Sequence, residues 1–164
     1  MKTSLVGLCL LLGACQSASI PPVKTLVQVD RAISGNTIEL SSKQRVRLIG
    51  LDAPSWEQKP WGSAAKERLD AIIQQHNRQF SLELEAGEAK ATDGRQYGYL
   101  WQNNLLVNEQ LIKEGHALAV TKYTNPQYEQ RLVQAQAYAR LTGVGIWSHE
   151  APMRTSPSDF RAKN

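Results

Sequence analysis

Arg45-Val46-Arg47-Leu48-Ile49-Gly50-Leu51-Asp52-Ala53-Pro54 is the stretch on which the fold turns. Charged and apolar side chains alternate from Arg45 to Leu48, and the run stays apolar-rich to Leu51. That pattern reads as a strand with a buried face. It ends in a carboxylate fixed beside a proline, so Arg47 and Asp52 stand at the exit of a strand, where a rigid element can aim charge at a ligand. Strand alternation puts Arg45 on the same face as Arg47, which makes Arg45 the local competitor for any role given to Arg47.

Outward from this stretch, the front half reads as strands and the back half as helices. Thr25 to Val29, Thr37 to Leu40 and Gln44 to Leu51 are strand-like, the last two joined by a turn at Ser41-Ser42-Lys43. Pro60 and Gly62 end the extended region. Ser63 reads as the cap of a helix running to Gln75, with Ala65, Leu69, Ile72 and Ile73 on one face. Phe80 to Glu85 and Tyr97 to Gln102 are further strands, the latter closed by a turn at Asn103-Asn104. Val107 to Glu114 reads as a short helix ended by Gly115. Asn125-Pro126 opens the last helix, with Tyr128, Leu132, Ala135 and Ala139 at helical spacing and Gly143 at its C-terminal cap. The order predicts an α+β fold: a five-stranded OB-type Greek-key β-barrel with about three packed α-helices. Pattern alone leaves another α+β arrangement open.

The chain's ends are set apart from this domain. Residues 1–14, with Lys2 and an apolar core from Leu5 to Leu12, read as a lipoprotein signal peptide; that core is too short for a spanning helix, which needs ~20 apolar residues. Leu12-Gly13-Ala14-Cys15 resembles a lipobox, which predicts a lipidated Cys15 anchoring the protein in the bacterial envelope, at the outer membrane in a Gram-negative source. Residues 15–22 read as a tether, 23–148 as the domain and 149–164 as a flexible tail. Cys9 goes with the leader, so the domain must be stable without a disulfide. The formal net charge of +4 becomes +3 without Lys2, which permits a polyanionic partner without demanding one.

With Ser34-Gly35-Asn36-Thr37 before it and Asp93-Gly94-Arg95 after it, the opening stretch resembles the staphylococcal nuclease (thermonuclease) family. The resemblance runs from about Val23 to Ser148 and includes Val107-Asn108-Glu109-Gln110-Leu111 and the closing Gly145-Ile146-Trp147-Ser148. It implies the OB-type barrel and hydrolysis of phosphodiesters in DNA or RNA using calcium, with magnesium or manganese as other metals; single strands are the expected substrate and a monomer the expected state. A hard cation wants oxygen ligands, and guanidinium forks match phosphate. Carried over residue by residue, the resemblance makes Asp52 a metal ligand, Ala53 a ligand through its backbone carbonyl, Arg47 and Arg95 the phosphate-binding arginines, and Tyr123, loosely aligned, a substrate-side tyrosine.

Three positions depart from the family pattern, two of them where the family keeps acids. Asn36 stands where the family keeps a second metal-binding aspartate; its amide oxygen can ligate but brings no charge. Ser55 stands at the general-base position, and a serine hydroxyl cannot take a proton near neutral pH as a carboxylate can. Glu57, two residues on, is a candidate substitute base, and Asp30 a candidate to restore negative charge. Asp93 replaces the usual tyrosine and sets a negative charge near incoming phosphate. Trp56 and Trp61 flank the site loop, where they can stack bases or line the fold beneath it. His76, His116 and His149 show no metal-ligand spacing, and there is no glycine-rich phosphate loop. Beside the nuclease stands an alternative of another class, an OB module that binds nucleic acid or another envelope ligand without cutting.

Overall fold

The computed structural model describes residues 23–85, 94–120 and 126–163, without the side chains of 126 and 127. Strands β1 (Lys24–Ser34), β2 (Thr37–Leu40) and β3 (Arg45–Leu48) form an antiparallel meander, followed by the short β4 (Leu51–Asp52). Then come α1 (Trp61–Gln75), β5 (Gln79–Leu84), β6 (Gln96–Gln102) and β7 (Leu105–Leu106). The chain continues through α2 (Val107–Lys113), β8 (Leu118–Ala119), α3 (Pro126–Thr142) and α4 (Pro157–Lys163). The main sheet runs β3-β2-β1-β5-β6-β7, and β3 also pairs with β6. This second pairing is parallel, with Val46 opposite Gln96 and Arg47 opposite Tyr97, and it closes the five long strands into a barrel. The expected OB-type α+β architecture is the one observed.

β1 is twice as long as the pattern from Thr25 to Val29 indicated. Register shifts between Val29 and Arg31 and between Ala32 and Ser34 bend it, so that one strand pairs with β5 along its first half and β2 along its second. Val29, Ile38, Val46, Leu48, Phe80 and Leu100 fill the barrel and are fully buried. Leu69, Ile72 and Ile73 of α1 and Leu111 and Ile112 of α2 add to the same core. Each such side chain contributes about 1.5–3 kcal/mol on burial. α1 begins two residues before Ser63, with Pro60 at its N-cap. Ser63 does not cap it; its Oγ donates to the Pro60 carbonyl at 2.9 Å, because it already lies within the first turn.

One buried amide ties three elements together. Asn108, at the start of α2, accepts a hydrogen bond from the Leu100 N–H of β6 (3.0 Å) and donates to the carbonyls of Ile49 (2.8 Å) and Gly98 (3.4 Å). Ile49 is where the chain leaves β3 for β4, so Asn108 fixes the geometry of that exit. A second tie joins the helices: Arg68 of α1 bonds both oxygens of Glu114, just after α2, at 2.6 and 2.8 Å. The neighbouring His116 is half-buried; loss of hydration holds its imidazole below the ordinary histidine value, with Glu114 pulling the other way and Arg68 adding to the depression.

The C-terminal residues, expected as a loose tail, contain α4 and are tied to the domain. The Met153 N–H donates to the Ile146 carbonyl (2.9 Å), and the buried Gln58 donates through Nε2 to the Thr155 carbonyl (2.6 Å). Ser156 caps α4 by accepting from the Asp159 N–H at 3.1 Å, and Pro157, the first helical residue, is buried. Cys15, Asp93, Tyr123 and Asn125 lie outside the described residues. No helix among the described residues is long and apolar enough to cross a membrane.

Replacing Asn108 by Ala leaves buried partners at Leu100 and Ile49 unsatisfied, at ~1–3 kcal/mol each; chemical denaturation is expected to show a loss of roughly 3 kcal/mol. A folded-state pKa below the unfolded ~6.5 means that the unfolded chain binds more protons as pH falls below that value. The stability contributed by neutral His116 is therefore complete above ~6.5 and lost as pH drops toward its folded value. His116→Gln should flatten the stability–pH curve just below ~6.5 and leave it unchanged above.

Candidate active site

The barrel closure builds one face of the site. In the parallel register of β3 and β6, Arg47 lies opposite Tyr97, and Arg95 immediately precedes β6. Alternation then puts the side chains of residues 45, 47, 95 and 97 on one face. Arg45 does not compete with Arg47, since it sits opposite Glu39 on β2 with its Nε 3.8 Å from that carboxylate. Glu39, buried, also gathers Arg31 at 3.2 Å and Lys43 at 3.9 Å. Arg47 lies opposite Thr37, which has no charge to draw it aside.

Asp52 is held by a ladder of its own: β4 pairs with β8, with Asp52 opposite Leu118, and the Val120 N–H donates to the Gly50 carbonyl at 3.0 Å. The Asp52 side chain is buried to 11% exposure, and its Oδ1 lies 3.7 Å from Arg47 Nη2. The Asn36 turn packs against this strand end: a Cβ on Gly35 would lie 2.9 Å from the Cβ of Ala53 and 2.6 Å from that of Ala65. The Asn36 carbonyl accepts from the Leu48 N–H (2.8 Å). Its buried side-chain Oδ1 is occupied locally, accepting from Ser34 Oγ at 3.1 Å and Thr37 Oγ1 at 3.4 Å.

A residue that the sequence did not mark completes the cluster. Arg161 of α4 reaches in and places Nη2 2.7 and 2.8 Å from the two Asp52 carboxylate oxygens, with Nη1 3.4 Å from the Ala53 carbonyl. Burial holds the Arg47 guanidinium below the ordinary arginine value, and the fields of Arg95 and Arg161 push the same way; Asp52 and Tyr97 oppose them. Arginine nonetheless stays charged in proteins. Among the described residues, Arg47 thus feels the fields of Arg95 and Arg161 while it and Arg161 both approach the Asp52 carboxylate, an arrangement suited to holding an anion.

The loop after Asp52 sends its side chains to different surroundings. Ser55 Oγ is buried with no hydrogen-bond partner among the described residues. Glu57 is exposed and lines a cleft of about 440 Å³ with Trp61, Arg154 and Phe160; Arg47 and Asp52 are not among that cleft's walls. Trp56 is 71% exposed and does not pack beneath the loop, whereas Trp61 is half-buried at the head of α1. Asp30 bonds Lys43 at 3.1 Å and Arg78 at 3.5 Å, so its charge is spent away from Asp52.

The chain matches the family described as staphylococcal nuclease homologue over residues 45–149. It is 33% identical over 130 residues to the thermonuclease of Staphylococcus hyicus, covering 74% of this chain and 75% of that protein. It is 33% identical over 127 residues to the thermonuclease of Staphylococcus intermedius, covering 73% and 74%. An uncharacterized endonuclease of Haemophilus influenzae is 27% identical over 166 residues, covering 98% and 84%. The chain belongs to the staphylococcal nuclease family. Arg47, Asp52, Ser55 and Arg95 fall inside the matched residues; Asn36 and Arg161 fall outside them.

Arg161 carries no sequence signal of its own for the site, since the motifs that mark the family in this sequence end at Ser148. A local signal existed in Ser156-Pro157-Ser158-Asp159, where a serine cap, a proline at the first helical position and an acid three residues after the cap announce a helix.

The head of α1 presses on the backbone of the site loop. A Cβ on Gly62 would sit 1.9 Å from the Ser55 carbonyl oxygen and 2.9 Å from the Trp56 Cα. Gly62→Ala is therefore expected to lower stability by ~1–3 kcal/mol, read from thermal unfolding, because backbone has to move to admit the methyl group.

Proposed function

We propose that this member of the staphylococcal nuclease family hydrolyses phosphodiester bonds in DNA or RNA, with single strands as its main substrate. The observation that carries this reading is the convergence of Arg47 on β3 and Arg161 on α4 upon the Asp52 carboxylate, with Arg95 near enough to act on Arg47. Arg47 and Arg95 would grip the phosphate, since planar forks match its oxygens in pairs. Their charge would stabilise what accumulates on those oxygens as water attacks phosphorus. Exposed Trp56 is available to stack a base.

No carboxylate stands at the base position. Ser55 cannot accept the proton, and the position of Glu57 in the outer cleft lends no support to a substitute role. Water attack would then proceed without the ~10²–10⁴-fold help that a general base supplies. The resemblance also implies a divalent cation, calcium above all. Calcium wants six or more oxygen ligands, several of them negative, by about the usual measure. Here the Asp52 carboxylate is bonded on both oxygens by Arg161, the Ala53 carbonyl is shared with the same side chain, and Asn36 Oδ1 already accepts two hydroxyls. Among the described residues no three acidic, histidine or cysteine side chains come together. As arranged, these donors do not fit a tightly held calcium ion.

The hydroxyl at the base position favours a second reading, a module that binds nucleic acid without cutting it. We also read Leu12-Gly13-Ala14-Cys15 as the lipid-carrying end of a monomer displayed in the bacterial envelope. Cleavage of labelled single-stranded DNA and RNA separates nuclease from binder. The natural chain should cut slowly, Ser55→Glu should raise the rate by about the 10²-fold or more that a base contributes, and Arg95→Gln should remove most of it. Retention of the strand with no product from either the natural chain or Ser55→Glu would establish the binding module instead.

A further inference from the structure

We propose that Arg161 is a third phosphate-binding residue of this site, a built-in cation seated on Asp52 and Ala53, the very groups that the resemblance would assign to a metal. This rests on the reading of the pocket as a nucleic-acid phosphate site. The seat is specific: one guanidinium spans both carboxylate oxygens at 2.7 and 2.8 Å and also reaches the Ala53 carbonyl. A guanidinium carries more N–H groups than these three acceptors use, so donors remain for another anion. Arg47 and Arg161 approach the same oxygen, Asp52 Oδ1, at 3.7 and 2.7 Å. An anion gripped by Arg47 therefore lies within reach of Arg161. The Arg161 side chain is 42% exposed, open to a ligand from solvent, whereas Asp52 beneath it is 11% exposed.

Asp52 then has a different task from holding a metal. Its charge fixes the guanidinium in place before substrate arrives, so less side-chain freedom is lost on binding. The helix that carries Arg161 is held to the domain by contacts that do not involve the guanidinium: the Gln58–Thr155 bond and buried Pro157. Removing the guanidinium should leave α4 seated. It should also free the Asp52 carboxylate and the Ala53 carbonyl for a hard cation.

The test is equilibrium binding of a fluorescent single-stranded oligodeoxynucleotide across a salt series, in chelator and in calcium. It uses the full chain, Arg161→Gln, Arg161→Lys and Arg95→Gln, with thermal unfolding to check folding. The natural chain should bind equally with chelator or calcium. Arg161→Gln should bind about tenfold more weakly in chelator, with a salt slope reduced by ~0.7, the share of one phosphate contact on a single strand. It should regain affinity on adding calcium, and Arg161→Lys should fall between. If Arg161→Gln binds as tightly as the natural chain, or more tightly, the salt slope being unchanged, Arg161 is a plug or a bystander and the proposal falls while the phosphate site stands. If the natural chain retains no strand and Arg95→Gln changes nothing, the phosphate-site reading fails and takes the proposal with it.

Discussion

The parallel pairing of β3 with β6 is the constraint on which the rest of this molecule depends. It closes the barrel, and in closing it sets Arg47 beside Tyr97 with Arg95 just ahead of the strand. Two residues past the end of β3, the chain must turn away to form β4. Asn108 holds that departure by bonding the Ile49 and Gly98 carbonyls, one from each side of the seam. β4 then pairs with β8, and Asp52 is delivered to the same pocket. A closed barrel leaves little freedom to any of these steps, which is why so few residues suffice to place the charges.

The electrostatics follow from that placement. Two unit charges ~4 Å apart interact by ~4 kcal/mol at the effective dielectric of a protein surface. Crowding guanidiniums is costly unless something negative lies between them. Asp52 supplies part of the compensation from within the chain, and an incoming phosphodiester would supply more. The same carboxylate cannot serve a guanidinium on both oxygens and a divalent ion at once. Asn36 brings no charge to this pocket, and Arg161 occupies both oxygens of Asp52.

Much of this was legible in the sequence. Strand alternation around Arg45 to Asp52, the helical spacing of Leu69, Ile72 and Ile73, and the glycines after α2 and α3 gave the elements and their faces. The resemblance supplied their closure into a barrel, which local pattern cannot provide because the β3–β6 contact joins distant segments. Alternation grouped Arg45 with Arg47 but could not show that Glu39 across the sheet would draw one of them away. The path of the loop after Pro54 was also beyond reach, since it is fixed by the close approach of Gly62 to Ser55 and by Gln58 reaching Thr155. Arg161 is the clearest case: its capping signal was readable, but the object it reaches lies 109 residues away in sequence.

The most direct measurement is a crystal structure of the chain with a bound 5′-phosphorylated dinucleotide, grown in the presence of calcium. A phosphate held by Arg47, Arg95 and Arg161 is expected, with Arg161 still seated on the Asp52 carboxylate. A calcium ion on Asp52 with Arg161 swung away, or a phosphate bound elsewhere on the barrel, would contradict it.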